Sequence, residues 1–316
     1  MRLQLRLLAL LCLSALTCLS PLILVSGGHA APGPTAAGGT DVYSDQTITV
    51  VSPVLTGSVP LSEHLELDAR WRVDVLSGAT RVMVADTISS ATHFEETRQE
   101  GSMGVQWRRG EAALARLDYA VSAEPDYRTQ AFGLTLGGDL WRRLSWLELR
   151  YGLSLERVGR SDDRDYERRV TAHGVDLSWR HILTDRLALN VLASLLWAGC
   201  DARLGCQASP YRYVGIFDGS ADNVAFSLTE RHPASRLRAA AAAWLAWALA
   251  GDFALHLGYR FYGDDWAVQG HTATARLAVD LLGQRLQLAA AIRGVLQGPA
   301  AFFRTRYESA TAAPAL

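Results

Sequence analysis

The sequence contains no lysine; apart from eight histidines, every basic side chain is arginine. That bias is what a GC-rich genome produces and says nothing of function. There is no run of basic residues either, and the net charge is −1. Nucleic-acid binders concentrate positive charge, so that class is excluded. Beyond Val25 no run reaches the about 20 apolar residues that a transmembrane helix needs. Cysteine is scarce: Cys12, Cys18, Cys200 and Cys206 are the whole set. Two thiols in the body of the chain, with no nearby His pair, leave no metal site. His173, His181, His256 and His271 lack a nucleophile context such as G-x-S-x-G, so no catalytic residue is assigned and no enzyme is expected. The acidic stretch "SDDRDYE" lacks the Gly and terminal Glu of a calcium loop and reads as a solvated loop. No cofactor is implied.

What is present begins with an export signal. Arg2 and Arg6 flank an apolar run from Leu7 to Val25, and "SGGHAAPG" offers small residues for cleavage near Ala30. The competing reading is an uncleaved anchor. Thr17 before Cys18 fits a lipoprotein signal poorly. Residues 1–30 are taken as the signal and 31–46, "APGPTAAGGTDVYSDQ", as a poorly ordered linker. A β domain follows over 47–303, with a tail over 304–316. Removal of the signal leaves Cys200 and Cys206, which are close together in an exported chain and expected to form a disulfide.

From 47 onward apolar and polar residues alternate. Leu65, Leu67, Ala69, Trp71, Val73 and Val75 stand between Glu66, Asp68, Arg70, Arg72 and Asp74, the period of a strand. Strands are expected near 47–61, 65–76, 94–108, 112–122, 128–138, 144–157, 169–182, 187–197, 236–249, 253–262, 272–282 and 285–296. The Ala content of "SRLRAAAAAWLAWAL" would suit a helix, but the alternating strand after it favours a strand there too. Many of these segments have membrane-spanning length, about 9 to 11 residues, where soluble strands average about 5 or 6.

Short turns ("SEH", "RRGEA", "GGDLWRR", "LTDR", "AGD", "LGQ") alternate with longer connections at 77–93, 122–127, 157–168, 198–235 and 263–271. Outer-membrane barrels have this asymmetry, and Greek-key sandwiches do not need it. The expectation is an all-β, antiparallel transmembrane β-barrel of about 12 strands, apolar face to lipid. Its lumen would be lined by Glu66, Asp68, Arg70, Arg72, Asp74, Arg116, Asp118, Glu148, Arg150, Asp176, Arg180, Arg260, Arg276, Asp280 and Arg293. Charges of both signs suit cross-strand pairing that fills the interior; a narrow polar channel is the alternative. One feature resists this scheme: a first strand at 47–61 would start, and a last strand at 285–296 would end, on the long-loop side, whereas bacterial barrels normally keep both termini on the other.

Several stretches resemble a family of bacterial outer-membrane β-barrels of unassigned function, DUF3570: "TVVSP" (49–53), "VDVLSGAT" (73–80), "ISSATHFEETRQE" (88–100), "SPYRYV" (209–214), "ERHPASRLR" (230–238) and "YRFYGDDWAVQGHT" (259–272). "LQGPAAFFRTRYES" is similar to the family's C-terminal region, which continues into further strands where this chain stops, leaving an incomplete barrel as one expectation. The resemblance implies location and architecture, and no reaction.

Many of these segments fall on the long-connection side. Glu95, Glu96, Arg98, Arg212, Arg231, Arg236, Asp264, Asp265 and His271 are the expected loop network, with Arg231 and Asp265 as partners in a lid over one mouth. Polar loop residues on a rigid scaffold are also where binding sites occur. Three functions stay open: a narrow pore or transport component with a mostly occluded lumen, a membrane-anchored binding or assembly module, and a secreted soluble β protein. The partners implied by the first two are the lipid bilayer of a Gram-negative outer membrane and the barrel-insertion machinery.

Overall fold

In the computed structural model the described residues are 33–44, 48–80, 83–84, 87–88, 92–141, 143–159, 165–200, 213–217, 224–229, 233–249, 252–281 and 286–303. The ordered elements are all strands. Thirteen form one antiparallel meander: β1 (Thr35–Ser44), β2 (Ile48–Pro60), β3 (Leu65–Thr80), β6 (Thr92–Arg109), β7 (Ala113–Ala123), β8 (Tyr127–Leu140), β9 (Ser145–Val158), β10 (Arg168–Thr184), β11 (Leu187–Gly199), β14 (Ser235–Ala248), β15 (Phe253–Asp264), β16 (Gln269–Leu281) and β17 (Leu286–Gln297). Two small hairpins, β4 (Met83–Val84) with β5 (Thr87–Ile88) and β12 (Tyr213–Phe217) with β13 (Val224–Thr229), interrupt the β3–β6 and β11–β14 connections. Among the described residues no helix is long and apolar enough to cross a membrane, which says nothing about crossing by strands.

Each strand pairs with its neighbour in sequence apart from those hairpins, so the topology is the simplest antiparallel one. Its edges, β1 and β17, do not pair with each other, and the sheet is open. The segment 235–248 is strand despite its alanines, because Ala239, Ala241 and Ala243 pair with Leu195, Ala193 and Val191 on one side and Gly263, Phe261 and Tyr259 on the other. Propensity yields here to two-sided pairing.

The expected linker is corrected by β1. Residues 35–44 pair along their whole length with β2, from Thr35↔Ser58 to Ser44↔Thr49. β1 therefore starts on the short-turn side and the awkward start at 47 disappears, while the end of β17, with Gln297 level with Gly270, stays on the long-connection side. The expected strand count of about 12 becomes 13 for the same reason.

Register divides the sheet into two faces. Leu55, Trp71, Gly101, Val121 and Gln130 fall in one continuous row, as do Ala69, Met103, Tyr119, Phe132 and Leu153. The opposite face carries rows such as Ser58, Asp68, Gly104, Asp118, Gly133 and Gly152. The burial of the two faces is the reverse of a water-soluble protein. Polar Ser52 (2% exposed), Ser122 (3%), Thr135 (3%) and Asp74 (8%) are buried, while Trp71 (46%), Leu117 (62%) and Ile292 (74%) are exposed.

Candidate functional site

The polar face is the site, because it collects most of the charged side chains that the strands carry; Arg128, Arg157 and Arg169 form a row on the other face at its long-connection end. All the residues expected to face a lumen share it: Glu66 to Asp74 on β3, Arg116 and Asp118 on β7, Glu148 and Arg150 on β9, and Asp176 and Arg180 on β10. Arg260 on β15, Arg276 and Asp280 on β16, and Arg293 on β17 complete the set.

On β2 to β9 these charges are tied together. Arg72 Nε donates to Asp74 Oδ1 at 2.6 Å, and the Ser52 hydroxyl donates to the same oxygen at 2.6 Å. The β2–β3 register skips Ser52 and Pro53, where Pro53 has no N–H for the ladder, and Ser52 pairs on its other side with Asp41 of β1. Arg98 Nε donates to Ser122 Oγ at 2.9 Å and its Nη2 lies 3.1 Å from Glu100, with Glu124 at 3.5 Å. Arg116 Nε donates to Asp118 at 2.7 Å, and its Nη1 and Nη2 grip both oxygens of Asp68 at 2.5 and 3.0 Å. Such fork-on-carboxylate geometry is the strongest form of the interaction.

Asp264, at the end of β15, is the densest node. It accepts from Arg236 Nε at 3.0 Å, from the Tyr262 hydroxyl at 2.8 Å, and from the backbone amides of Trp266 (3.0 Å) and Val268 (2.9 Å). The Arg236 guanidinium also lies over the Trp266 ring, 4.2 Å from its centroid. This node pins the β15–β16 turn, in which Ala267 adopts φ 65°.

The expected loop network is therefore redrawn. The Arg236–Asp264 pair forms, but on strand ends and not in a loop. Asp265 contributes its amide to Leu237 O at 3.1 Å. Arg98 lies within β6, whose start at Thr92 also takes in Glu95 and Glu96, paired in register with Ser77 and Leu76; the side chains of those two are outside the described residues. Arg212 and Arg231 lie outside them as well, and so does the expected Arg231–Asp265 partnership. His271 does not belong to a loop. The turn is only four residues long (265–268), so β16 begins at Gln269 and turns His271 onto the apolar face beside Phe261. Cys200, just past β11, is disulfide-bonded; Cys206, its expected partner, lies outside the described residues.

Sequence reasoning missed a repeated pair on the apolar face. Tyr151 Oη lies 2.8 Å from His173 Nδ1, and Tyr259 Oη lies 2.7 Å from His271 Nδ1. Both are diagonal neighbours on adjacent strands near the long-connection side. Trp197 packs on His173 (5.6 Å) and Phe261 on His271 (5.3 Å). Near the short-turn side, Trp179 Nε1 donates to Ser145 Oγ at 2.8 Å and its ring stacks on His181 at 5.3 Å. Trp107, Trp141, Trp247 and Phe253 are exposed on or beside the same margin. Two aromatic bands thus bound a field of Leu, Val and Ala. From Trp179 to His173 is about 20 Å of strand at about 3.4 Å per residue.

Among the described residues no group of three or more His, Cys, Asp or Glu is placed to hold a metal ion.

No curated protein matches this chain. Solved structures similar to it include the siderophore receptor PirA from Pseudomonas aeruginosa (12% identity, TM-score 0.49, 83% of this chain and 44% of that one). The alcaligin outer membrane receptor FauA from Bordetella pertussis is another (11%, 0.49, 84% and 46%), and PirA from Acinetobacter baumannii a third (11%, 0.48, 81% and 42%). The chain spans less than half the length of these structures. "TVVSP", "VDVLSGAT" and "ISSATHFEETRQE" lie outside the stretch that matches a family model. Residues 198–316 do match one, that of the family described as "Protein of unknown function (DUF3570)", and over that stretch the resemblance read from the sequence holds.

Proposed function

We propose that this protein is an outer-membrane β-barrel whose polar face lines a narrow, largely filled conduit, and that it acts as a transport component. One observation carries the reading: polar side chains are buried on one face while Trp71, Leu117 and Leu195 (54% exposed) stand out on the other. In water such a surface would be a large aggregation liability. In lipid it is the expected surface, an apolar band about 25 Å tall between aromatic girdles. That argument weighs against a secreted soluble protein. The ion pairs on β2–β9 fill their part of the interior, which supports a narrow conduit over an open pore. Residues 1–30 would serve as the export signal, and insertion would use the barrel-insertion machinery.

The hairpins β4–β5 and β12–β13 support a second reading, in which structured connections on one rim recruit a partner. Membrane fractionation with heat-modifiable gel mobility tests the barrel itself. Recovery with the outer membrane and faster migration before boiling are expected; a soluble periplasmic protein with no shift would refute the proposal. Single-channel recording then separates the readings: small steps support the conduit, silence the recruiting module, and large porin-like steps refute the filled interior.

A further inference from the structure

The arginines of the polar face differ between two walls, and Arg168 and Arg180 of β10, which have no ion pair among the described residues, lie between them. On β3 to β9, Arg72, Arg98, Arg116 and Arg150 each have a carboxylate within 4 Å, Arg70 and Arg108 being the exceptions. On β14 to β17 only Arg236 is so engaged among the described residues. Arg238, Arg260, Arg276 and Arg293 share that face with no ion pair among the described residues; Arg260 makes only a distant contact, 5.8 Å, with the Tyr262 ring. The carboxylates nearby do not answer them. Asp264 is occupied by Arg236, Tyr262 and two backbone amides, and Asp280 accepts from Gln287 Nε2 at 2.8 Å. Asp176 and Asp280 are the strand acids of this region without an ion pair among the described residues, Asp280 being held by the neutral Gln287 amide.

The register places these arginines in a descending row. Arg238 is level with Asp264, Arg260 with Thr272, Arg293 with Thr274 and hence Gly258, and Arg276 with His256. On β15 the levels are 264, 260, 258 and 256, about 27 Å at about 3.4 Å per residue, close to the height of an apolar membrane band. A cavity of about 560 Å³ opens at the upper end, lined by Asp176, Ser194, Arg236, Arg238, Arg260 and Tyr262. A second, of about 250 Å³, shares Arg236, Arg260 and Tyr262 and adds Thr272 and Gln297. Guanidinium forks beside hydroxyl and amide donors suit the oxygens of a tetrahedral or planar oxyanion, which accepts several N–H bonds at once.

We propose that the β14–β17 wall is an oxyanion track: it binds a phosphate- or carboxylate-bearing solute between Arg238 and Arg260 and hands it down past Arg293 to Arg276. This rests on the barrel reading above and names the class of solute it would carry. Because the apolar face points the other way, the anion comes from solution and not from a lipid headgroup beside the wall.

The test uses the full chain refolded in detergent, checked by its heat shift and titrated calorimetrically with inorganic phosphate at low ionic strength. Saturable binding is expected, displaced by sulfate and by raising KCl from about 0.1 to about 1 M, where screening is nearly complete at these distances. Arg238→Gln with Arg260→Gln should weaken binding at least about tenfold, the scale of losing charge-assisted hydrogen bonds. Arg143→Gln, in the β8–β9 turn and 77% exposed, should leave it unchanged. If the double change costs the heat shift, Arg276→Gln, at an exposed position, carries the comparison and should weaken binding severalfold. A heat-shifting protein that binds no phosphate, or binds it equally in all variants, overturns the oxyanion track and leaves the barrel standing. Absence of the heat shift in the unaltered chain refutes the barrel and the track with it.

Discussion

Arg116 and Asp68 touch across an intervening strand: Arg116 Nη1 on β7 lies 2.5 Å from Asp68 Oδ1 on β3, although β6 runs between them. The residue of β6 in that row is Gly104, level with Asp68 on one side and Asp118 on the other. A Cβ there would collide with Arg116 Nη2 and sit 2.9 Å from Asp118 Oδ1. The missing side chain is the space through which the guanidinium reaches.

Gly104→Val should therefore destabilise the protein. Valine suits a strand, so the loss would come from evicting Arg116 and leaving Asp68 and Asp118 without their cation. Losing such charged hydrogen bonds costs on the order of 1–3 kcal/mol. Gly101→Val is the control: it lies on the apolar face, where the nearest atom to a new Cβ is Val121 Cγ1 at 3.8 Å. Urea midpoints in lipid vesicles should fall for the first change and hold or rise for the second. Equal midpoints would show that Arg116 has another place to go.

Leu149→Arg should impair folding in lipid far more than Arg150→Leu. Leu149 is in the apolar row between Leu136 and Leu177, and Arg150 is in the polar row between Thr135 and Asp176. An arginine on the lipid face near the midplane costs about 2–4 kcal/mol. Arg150 has only a 3.8 Å contact with Glu148 and is 59% exposed, so its removal should cost little. Refolding yield in vesicles measures both, and matching losses would contradict the assignment of faces.

Thiol labelling of the native, unreduced protein should fail at Cys200, which is disulfide-bonded, and at Cys206 if that residue is its partner. A loop this short restricts the unfolded chain by roughly 2–3 kcal/mol. Cys206→Ser should expose a labelled Cys200. A Cys200 that stays blocked in that variant would point to a different partner.

Period-two alternation makes β3 legible in the sequence, because Leu65–Val75 places one kind of residue on each side without exception. It made the faces of the charged residues legible for the same reason. Their partners were not, since Arg116–Asp68 depends on a register set by β6, and Arg236–Asp264 on a turn shorter than its sequence suggested. The Tyr–His pairs are diagonal contacts between strands, invisible in either strand alone. β12 and β13 were hidden inside a long connection, although "YVGIF" and "VAFSLT" carry strand-forming residues. β1 was missed because "TAAGGTDVYS" shows little alternation and much Gly and Ala, which sequence reasoning assigns to linkers.

Deleting residues 35–44 separates a linker from a strand. All ten residues of β1 are in register with β2, and both faces of β1 are exposed, so its contribution is backbone pairing more than side-chain burial. In lipid an unpaired backbone group costs several kcal/mol. Without β1, the ten-residue ladder that holds β2 on that side would be lost and the open edge of the sheet would move from β1 to β2. The deletion should abolish the heat shift and leave the protein sensitive to protease, whereas replacing the ten residues with the alternating sequence of another strand should restore part of the folding. A heat shift that survives the deletion would mean that β1 pairs with β2 without being needed for the wall, and that the sheet can begin at Ile48.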